Sequence, residues 1–243
     1  MKTFMKSSSD KWQVTSDKKL GTLPHHASRI THQRGFTLIE LLVVISIMAL
    51  IAAMIFPVAG AVSKLKYVHT AKAELNQIKS ALEDYKAKYG VYPPGTVNCA
   101  ENVLYYEFSG VTHNTGAATY TTLDGACTIS EVNYSAAFGV GGIINCTKGG
   151  AEDGTTAKNY LPSLKQNRIG ASTALGGVPV TNLISSVHGL DPAYQPLGVS
   201  DAYPFCYAYP GTNNPSSYDL WIDLKISGKT NRICNWLDNP KIL

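Results

Sequence analysis

The feature that most limits what this chain can fold into is a long uncharged apolar run. Leu41 to Val62 is 22 residues without Asp, Glu, Lys or Arg, its character interrupted only by Ser46 and Pro57. As a helix rising 1.5 Å per residue it reaches about 33 Å, enough to cross the hydrocarbon layer of a bilayer. Ahead of it stand Gly35-Phe36-Thr37-Leu38-Ile39-Glu40, and ahead of those the polar segment Met1 to Gly35, rich in Ser, Lys and His. That segment shows no amphipathic period and reads as a targeting leader rather than part of the fold.

Charge divides the chain at the same place. Residues 1–35 hold seven Lys/Arg and two Asp, which leaves fourteen Lys/Arg against fifteen Asp/Glu in residues 36–243. The body is therefore near neutral, and no nucleic-acid partner is expected from it. Lys18, Lys19, Arg29 and Arg34 before the run favour a cytoplasmic N-terminus and an exported C-terminal part. Lys64, Lys66 and Lys72 on the far side weaken that asymmetry.

An ordinary secretory signal is the simplest alternative, since Ala59-Gly60-Ala61 offers a small-residue cleavage site. The segment removed would then be about 61 residues, against the usual 15–30. Glu40 at the mouth of the run also argues against it, because a carboxylate near the centre of a membrane costs on the order of 3 kcal/mol.

Arg34-Gly35-Phe36-Thr37-Leu38-Ile39-Glu40-Leu41-Leu42-Val43-Val44-Ile45 resembles the processing and methylation site of type IV prepilins and pseudopilins. The resemblance implies cleavage between Gly35 and Phe36 by a prepilin peptidase/methyltransferase, with N-methylation of Phe36. It also implies that Glu40 meets the N-terminal amine of a neighbouring subunit and that Pro57 marks a place of local unwinding in the assembled filament. The residues themselves make physical sense of this. A glycine before the cut lets a peptidase approach the backbone closely. Glu40 lies four residues, one helical turn, from the new amine, and opposite charges at low dielectric attract strongly. The simpler role for Glu40 is an acid at a helix N-terminus, favoured by the dipole. For Pro57 it is a kink, from one lost backbone hydrogen bond.

Past the run the helix is expected to continue. Leu65, Val68, Ala71, Leu75, Ile78, Leu82, Tyr85 and Tyr89 step by three or four residues and form one apolar stripe. Gly90 suits a helix end, and Pro93-Pro94 forbids continuation. One helix from Thr37 to Tyr89 follows, half in the membrane and half outside it. The phrase Leu82 to Pro93, with Tyr89-Gly90-Val91-Tyr92-Pro93, is similar to the end of the long helix in type II secretion major pseudopilins. Tyr203–Tyr209 and Tyr218–Leu224 alternate like strands, and Ile233–Trp236 reads as a third. A short strand is expected around Val103–Phe108 and a helical turn near Leu161–Gln166.

The fold class expected is α+β and pilin-like: a long N-terminal helix, its first half transmembrane, packed against a small C-terminal antiparallel sheet. The segments are a cleaved leader (1–35), the membrane and assembly half of the helix (36–62), its soluble half (63–90), a variable loop-rich region (91–200) and the C-terminal sheet (201–243).

Chemistry is sparse. There is no G-x-S-x-G, H-E-x-x-H or P-loop, and Gly139-Val140-Gly141-Gly142 has Ile144 where a dinucleotide loop needs glycine. His69, His113 and His188 have no evident partner and read as surface residues. No metal, cofactor or catalytic residue is expected. The resemblance implies a calcium loop near the C-terminus, but between Trp221 and Trp236 Asp223 is the sole acid, so calcium is disfavoured. Of the five cysteines, Cys99, Cys127, Cys146, Cys206 and Cys234, export would permit disulfides. Cys206 and Cys234, both in expected strands, are a candidate pair, though spacing leaves fifteen two-bridge patterns open.

The function implied is that of a pseudopilin, a structural filament subunit of a type II secretion system polymerised into a periplasmic pseudopilus. Its partners would be copies of itself, the prepilin peptidase, an inner-membrane assembly platform, minor pseudopilins and membrane lipid. It would begin as a single-pass inner-membrane protein. The alternatives are a type IV pilin of a surface pilus, for adhesion, motility or DNA uptake, and a membrane-tethered enzyme or binding module.

Overall fold

The computed structural model describes residues 35–95, 102–147, 156–173 and 177–243, with the side chains of residues 55–61 excepted. Of the leader, only Gly35 falls within that range. The chain packs as two units, one ending at Leu50 and the other running Ile51–Leu243. The secondary structure is α+β, an N-terminal helix followed by mainly antiparallel sheets.

Helix α1 spans Leu38–Tyr89, within a residue of the sequence expectation. It continues through position 57 without a break in the helical assignment, although the Pro57 side chain lies outside the described ones. In the first unit every described side chain of α1 is exposed. In the second, the stripe turns inward from Val68: Ala71, Leu75, Ile78, Leu82 and Tyr85 are buried, and Tyr89 is partly so. Leu65, expected to start that stripe, is exposed instead.

The C-terminal sheet has the order β10-β9-β8-β7, from β7 (Phe205–Ala208), β8 (Asp219–Ile226), β9 (Lys229–Cys234) and β10 (Lys241–Ile242). Strand β8 alternates: Leu220, Ile222, Leu224 and Ile226 join the same core as the α1 stripe, while Trp221, Asp223 and Lys225 face outward. The third expected strand, read as Ile233–Trp236, is instead Lys229–Cys234: it starts four residues earlier and stops at Cys234. Ser227 and Gly228 both take positive φ (51° and 76°), the two-residue hairpin geometry that lets β8 run straight into β9.

The region 91–200 is far more regular than its composition suggests. A second sheet has the order β3-β2-β1-β4, formed by β1 (Val111–Asn114), β2 (Thr119–Thr122), β3 (Thr128–Ser130) and β4 (Cys146–Thr147). Helix α3 (Glu131–Phe138) begins at Ser130, whose hydroxyl accepts the Asn133 amide. Strands β5 (Ile169–Thr173) and β6 (Pro179–Leu183) form a separate hairpin.

The strand expected at Val103–Phe108 is instead helix α2 (Leu104–Ser109). All six of its residues are buried, so no helical polar stripe was there to read. Near Leu161–Gln166 there is a single turn, the Leu164 amide donating to the Leu161 carbonyl at 3.0 Å, and a 3₁₀ turn follows at Gln166–Arg168.

Two buried acids tie this region together. The Glu107 carboxylate accepts the Tyr85 hydroxyl (2.9 Å) and the Ile144 and Asn145 amides (3.0 and 2.9 Å). Burial pushes its carboxyl above the usual carboxylate range, outweighing the hydrogen bonds that act the other way. Glu74 accepts the Ser185 and Ser186 hydroxyls, both at 2.6 Å, with the Arg168 guanidinium 3.4 Å away.

Candidate functional site

The start of α1 is built by three residues that bond to one another. Thr37 is the N-cap: its hydroxyl accepts the Glu40 amide at 3.2 Å, and its carbonyl accepts the Leu41 amide. Glu40 reaches back, its Oε2 accepting the Thr37 amide at 2.8 Å and the Thr37 hydroxyl at 2.9 Å. This is a capping box, which satisfies amides that the first helical turn would leave orphaned. The sequence reading gave Glu40 a pairing role toward a neighbour's amine, with a dipole role as the simpler alternative, and missed the reciprocal bond. Its signal, Thr-x-x-Glu before an apolar run, was legible at Thr37–Glu40.

Gly35 and Phe36 lie immediately outside the helix, Phe36 83% exposed. A Cβ added to Gly35 would meet nothing within 4 Å. Nothing in the packing of the described residues requires glycine there.

Behind the cap, α1 is apolar on every side. Leu38, Ile39, Leu41, Leu42, Val43, Val44, Ile45, Ile47, Met48, Leu50, Ile51 and Met54 are all exposed. Ser46, the polar residue within this stretch, bonds inward, its hydroxyl donating to the Val43 carbonyl at 2.8 Å. A helix apolar all round needs lipid or a partner about it. Among the described residues, no helix is long and apolar enough to cross a membrane; the described side chains of the run stop at Met54 and resume at Val62.

The remaining expected sites are not brought together. Cys206 is disulfide-bonded, and Cys234 is a free cysteine, so the candidate Cys206–Cys234 pair is wrong. Register gives the reason. Both residues sit opposite Trp221, Cys206 from β7 and Cys234 from β9. They are therefore two strand spacings apart, about 9.5 Å, whereas a disulfide needs Cα atoms about 4.4–6.8 Å apart. His113 is not a lone surface residue: its Nε2 meets the Glu131 carboxylate and its ring lies 4.9 Å from that of Tyr120. His188 donates to the Ser186 carbonyl, and His69 is exposed.

Two acids of the C-terminal sheet have partners of their own. Asp219 accepts the Asn213 and Asn214 amides and both their side-chain amides, closing the β7–β8 connector. Asp223 takes both arms of Arg232, at 2.8 and 2.7 Å. Among the described residues no three His, Cys, Asp or Glu side chains converge.

Comparison with known proteins agrees with the geometry at the N-terminus. Residues 30–56 match the prokaryotic N-terminal methylation motif, which contains the Gly35/Phe36 junction, the capping box and Glu40. Over 91 residues the chain is 34% identical to the fimbrial protein EcpB of Eikenella corrodens, covering 34% of this chain and 53% of that protein. The chain thus spans about half the length of this curated relative. No solved structure matches. By its methylation motif and this fimbrial likeness, the chain is similar to type IV pilin-like precursors.

Proposed function

We propose that this chain is a filament subunit, cut between Gly35 and Phe36, N-methylated on Phe36, held in the membrane by residues 36–62 and polymerised through its N-terminal helix. The observation that carries the reading is the first part of α1: a capped helix, apolar on all sides, with nothing among the described residues covering it. Cleavage ahead of such a helix leaves it attached, so the product stays in the membrane until neighbouring helices replace lipid. In that setting Glu40 would exchange its Thr37 partners for the Phe36 amine of the adjacent subunit. Pro57 removes one backbone hydrogen bond near the end of the run, where the helix would yield most easily on packing. A pilin-like structural subunit has no need of catalytic machinery, and the role proposed is non-enzymatic.

Within the filament class, a type II secretion pseudopilin is favoured by the Tyr89-Gly90-Val91-Tyr92-Pro93 end of α1 and the C-terminal sheet beside it. That role adds an assembly platform, minor pseudopilins and a periplasmic location. A surface pilin is favoured by the likeness to a fimbrial protein. One experiment tests both levels. In the native host, the mass of the membrane-extracted chain should give an N-methylated Phe36 start, and a start near Ala61 or Val62 would end the filament reading. Deletion of the chain should then abolish either exoprotein release or sheared surface fibres, and the loss observed names the filament.

A further inference from the structure

The lysines after the apolar run have no part in the reading above, although three cations on the exported side oppose the usual charge asymmetry. From Leu41 to Ala73 the chain has no acid at all, while Lys64, Lys66, His69 and Lys72 follow one another within nine positions. The next acid, Glu74, is turned toward Ser185 and Ser186. No described group pairs with Lys64 or Lys66.

Lys64, His69 and Lys72 line a groove of about 340 Å³ between α1 and the C-terminal segment. Its apolar wall is Leu65, Val68, Pro240 and Ile242, and Asp238 is an acid in the same lining, against Lys64 and Lys72. Leu65 and Ile242 remain 56% and 53% exposed, although β10 places Ile242 beside the core by pairing it with Asn231. Lys72 closes one end by donating to the Asp238 carbonyl at 2.8 Å, which fixes its ammonium at the groove while leaving two of its three protons unused. This arrangement pairs cations with uncovered apolar surface and begins two residues after the uncharged run ends. If residues 36–62 lie in the membrane, as proposed above, the groove stands at the lipid–water boundary.

We infer that this groove seats an anionic phospholipid, its phosphate between Lys64 and Lys72 and its glycerol and first methylenes against Leu65, Val68 and Ile242. Charge selects the headgroup, and the apolar wall selects a lipid over a free anion. Each basic residue near an anionic lipid surface is worth about a fivefold gain in binding.

The test uses the full processed chain reconstituted in nanodiscs of equal phosphatidylglycerol and phosphatidylcholine, extracted into mild detergent and weighed by native mass spectrometry. Retention of phosphatidylglycerol over phosphatidylcholine is expected, with a loss of about fivefold in Lys64→Gln and again in Lys72→Gln, and recovery in Lys72→Arg. Lys66, which lines a different hollow beside Ser186 and His188, is the control. A loss in Lys66→Gln as large as in Lys64→Gln would reduce the effect to diffuse charge and overturn the groove. So would equal retention of the two lipids, displacement by inorganic phosphate alone, or a lipid-free dimer in which a second copy fills the groove. Flotation of the nanodisc-bound chain is read separately. A chain that fails to insert refutes the membrane reading, and one that inserts without preference refutes only the groove.

Discussion

Replacing Glu107 tests whether a buried acid holds the middle region against α1. The carboxylate is the acceptor for three buried donors, the Tyr85 hydroxyl and the Ile144 and Asn145 amides. Each buried donor left without an acceptor costs about 1–3 kcal/mol. Glu107→Ala strands all three, and some of that loss is offset because no carboxylate is then buried. A net loss of about 3 kcal/mol or more follows, a large share of the roughly 5–15 kcal/mol that holds a domain together. Glu107→Gln keeps one acceptor oxygen and turns an NH₂ toward the other donors, so about 1–3 kcal/mol is expected. Tyr85→Phe should cost about 1 kcal/mol alone and less in the Glu107→Ala background, the non-additivity expected of partners in contact.

Stability also depends on pH through this group. Burial holds its folded pKa above the unfolded value. Its protonation therefore favours the fold fully below the unfolded carboxylate pKa, and that contribution is lost as pH rises through the folded pKa. The wild-type chain should lose stability across this window, while Glu107→Gln shows a flatter profile. Urea unfolding of the mature chain in detergent, followed by near-ultraviolet circular dichroism, measures both. A Glu107→Ala chain within about 0.5 kcal/mol of wild type, or parallel pH profiles for wild type and Glu107→Gln, would refute the reasoning.

Gly35→Val should leave the fold unchanged, since a Cβ there meets nothing, yet block processing; the mass of the membrane-bound chain shows whether the leader is retained. Glu40→Val should be processed and inserted normally but yield no filaments, because an incoming helix brings no partner for the Phe36 amine, and wild-type amounts of sheared fibre or exported protein would limit Glu40 to its capping box. Thr37→Ala, which removes the cap hydroxyl but keeps the acid, should retain assembly in the same assay. Alkylation of the unfolded, unreduced chain should label Cys127 and Cys234 and spare Cys206, as read by peptide mass mapping.

Much of α1 was legible because two different patterns run through it: an uncharged stretch of membrane length, then a three-four stripe that the core receives from Val68 to Tyr85. The C-terminal strands were legible for a similar reason, since β8 has one wet face and one dry face and alternates accordingly. Helix α2 was not, because burial on all sides erases the pattern that distinguishes helix from strand. The sheet β3-β2-β1-β4 was hidden by its composition: Thr119–Thr122 and Thr128–Ser130 are short, polar and rich in hydroxyls, and resemble loops until their register is seen. At the site, Gly35, Phe36 and Glu40 stand out in the motif, but the Thr37 partnership rests on an uncharged hydroxyl and amide that leave no mark in a charge pattern. The disulfide failed on register, for β8 lies between β7 and β9 and sets Cys206 and Cys234 on opposite sides of Trp221.

The part of α1 from Lys72 to Tyr89 is fastened at many heights. Lys72 bonds the Asp238 carbonyl, Glu74 the Ser185 and Ser186 hydroxyls, Gln77 the Arg168 guanidinium, Tyr85 the Glu107 carboxylate, Lys88 the Thr156 carbonyl and Tyr89 the Asn145 side chain. Tension applied along the helix axis would strain these ties in shear, several at once, rather than peel them one by one. Joints in parallel yield at the sum of their strengths and joints in series at the weakest. A subunit tugged by its N-terminal helix would thus transmit the pull into both of its larger sheets, and failure would begin beyond the fastened stretch, toward the helix start, rather than inside the globular part.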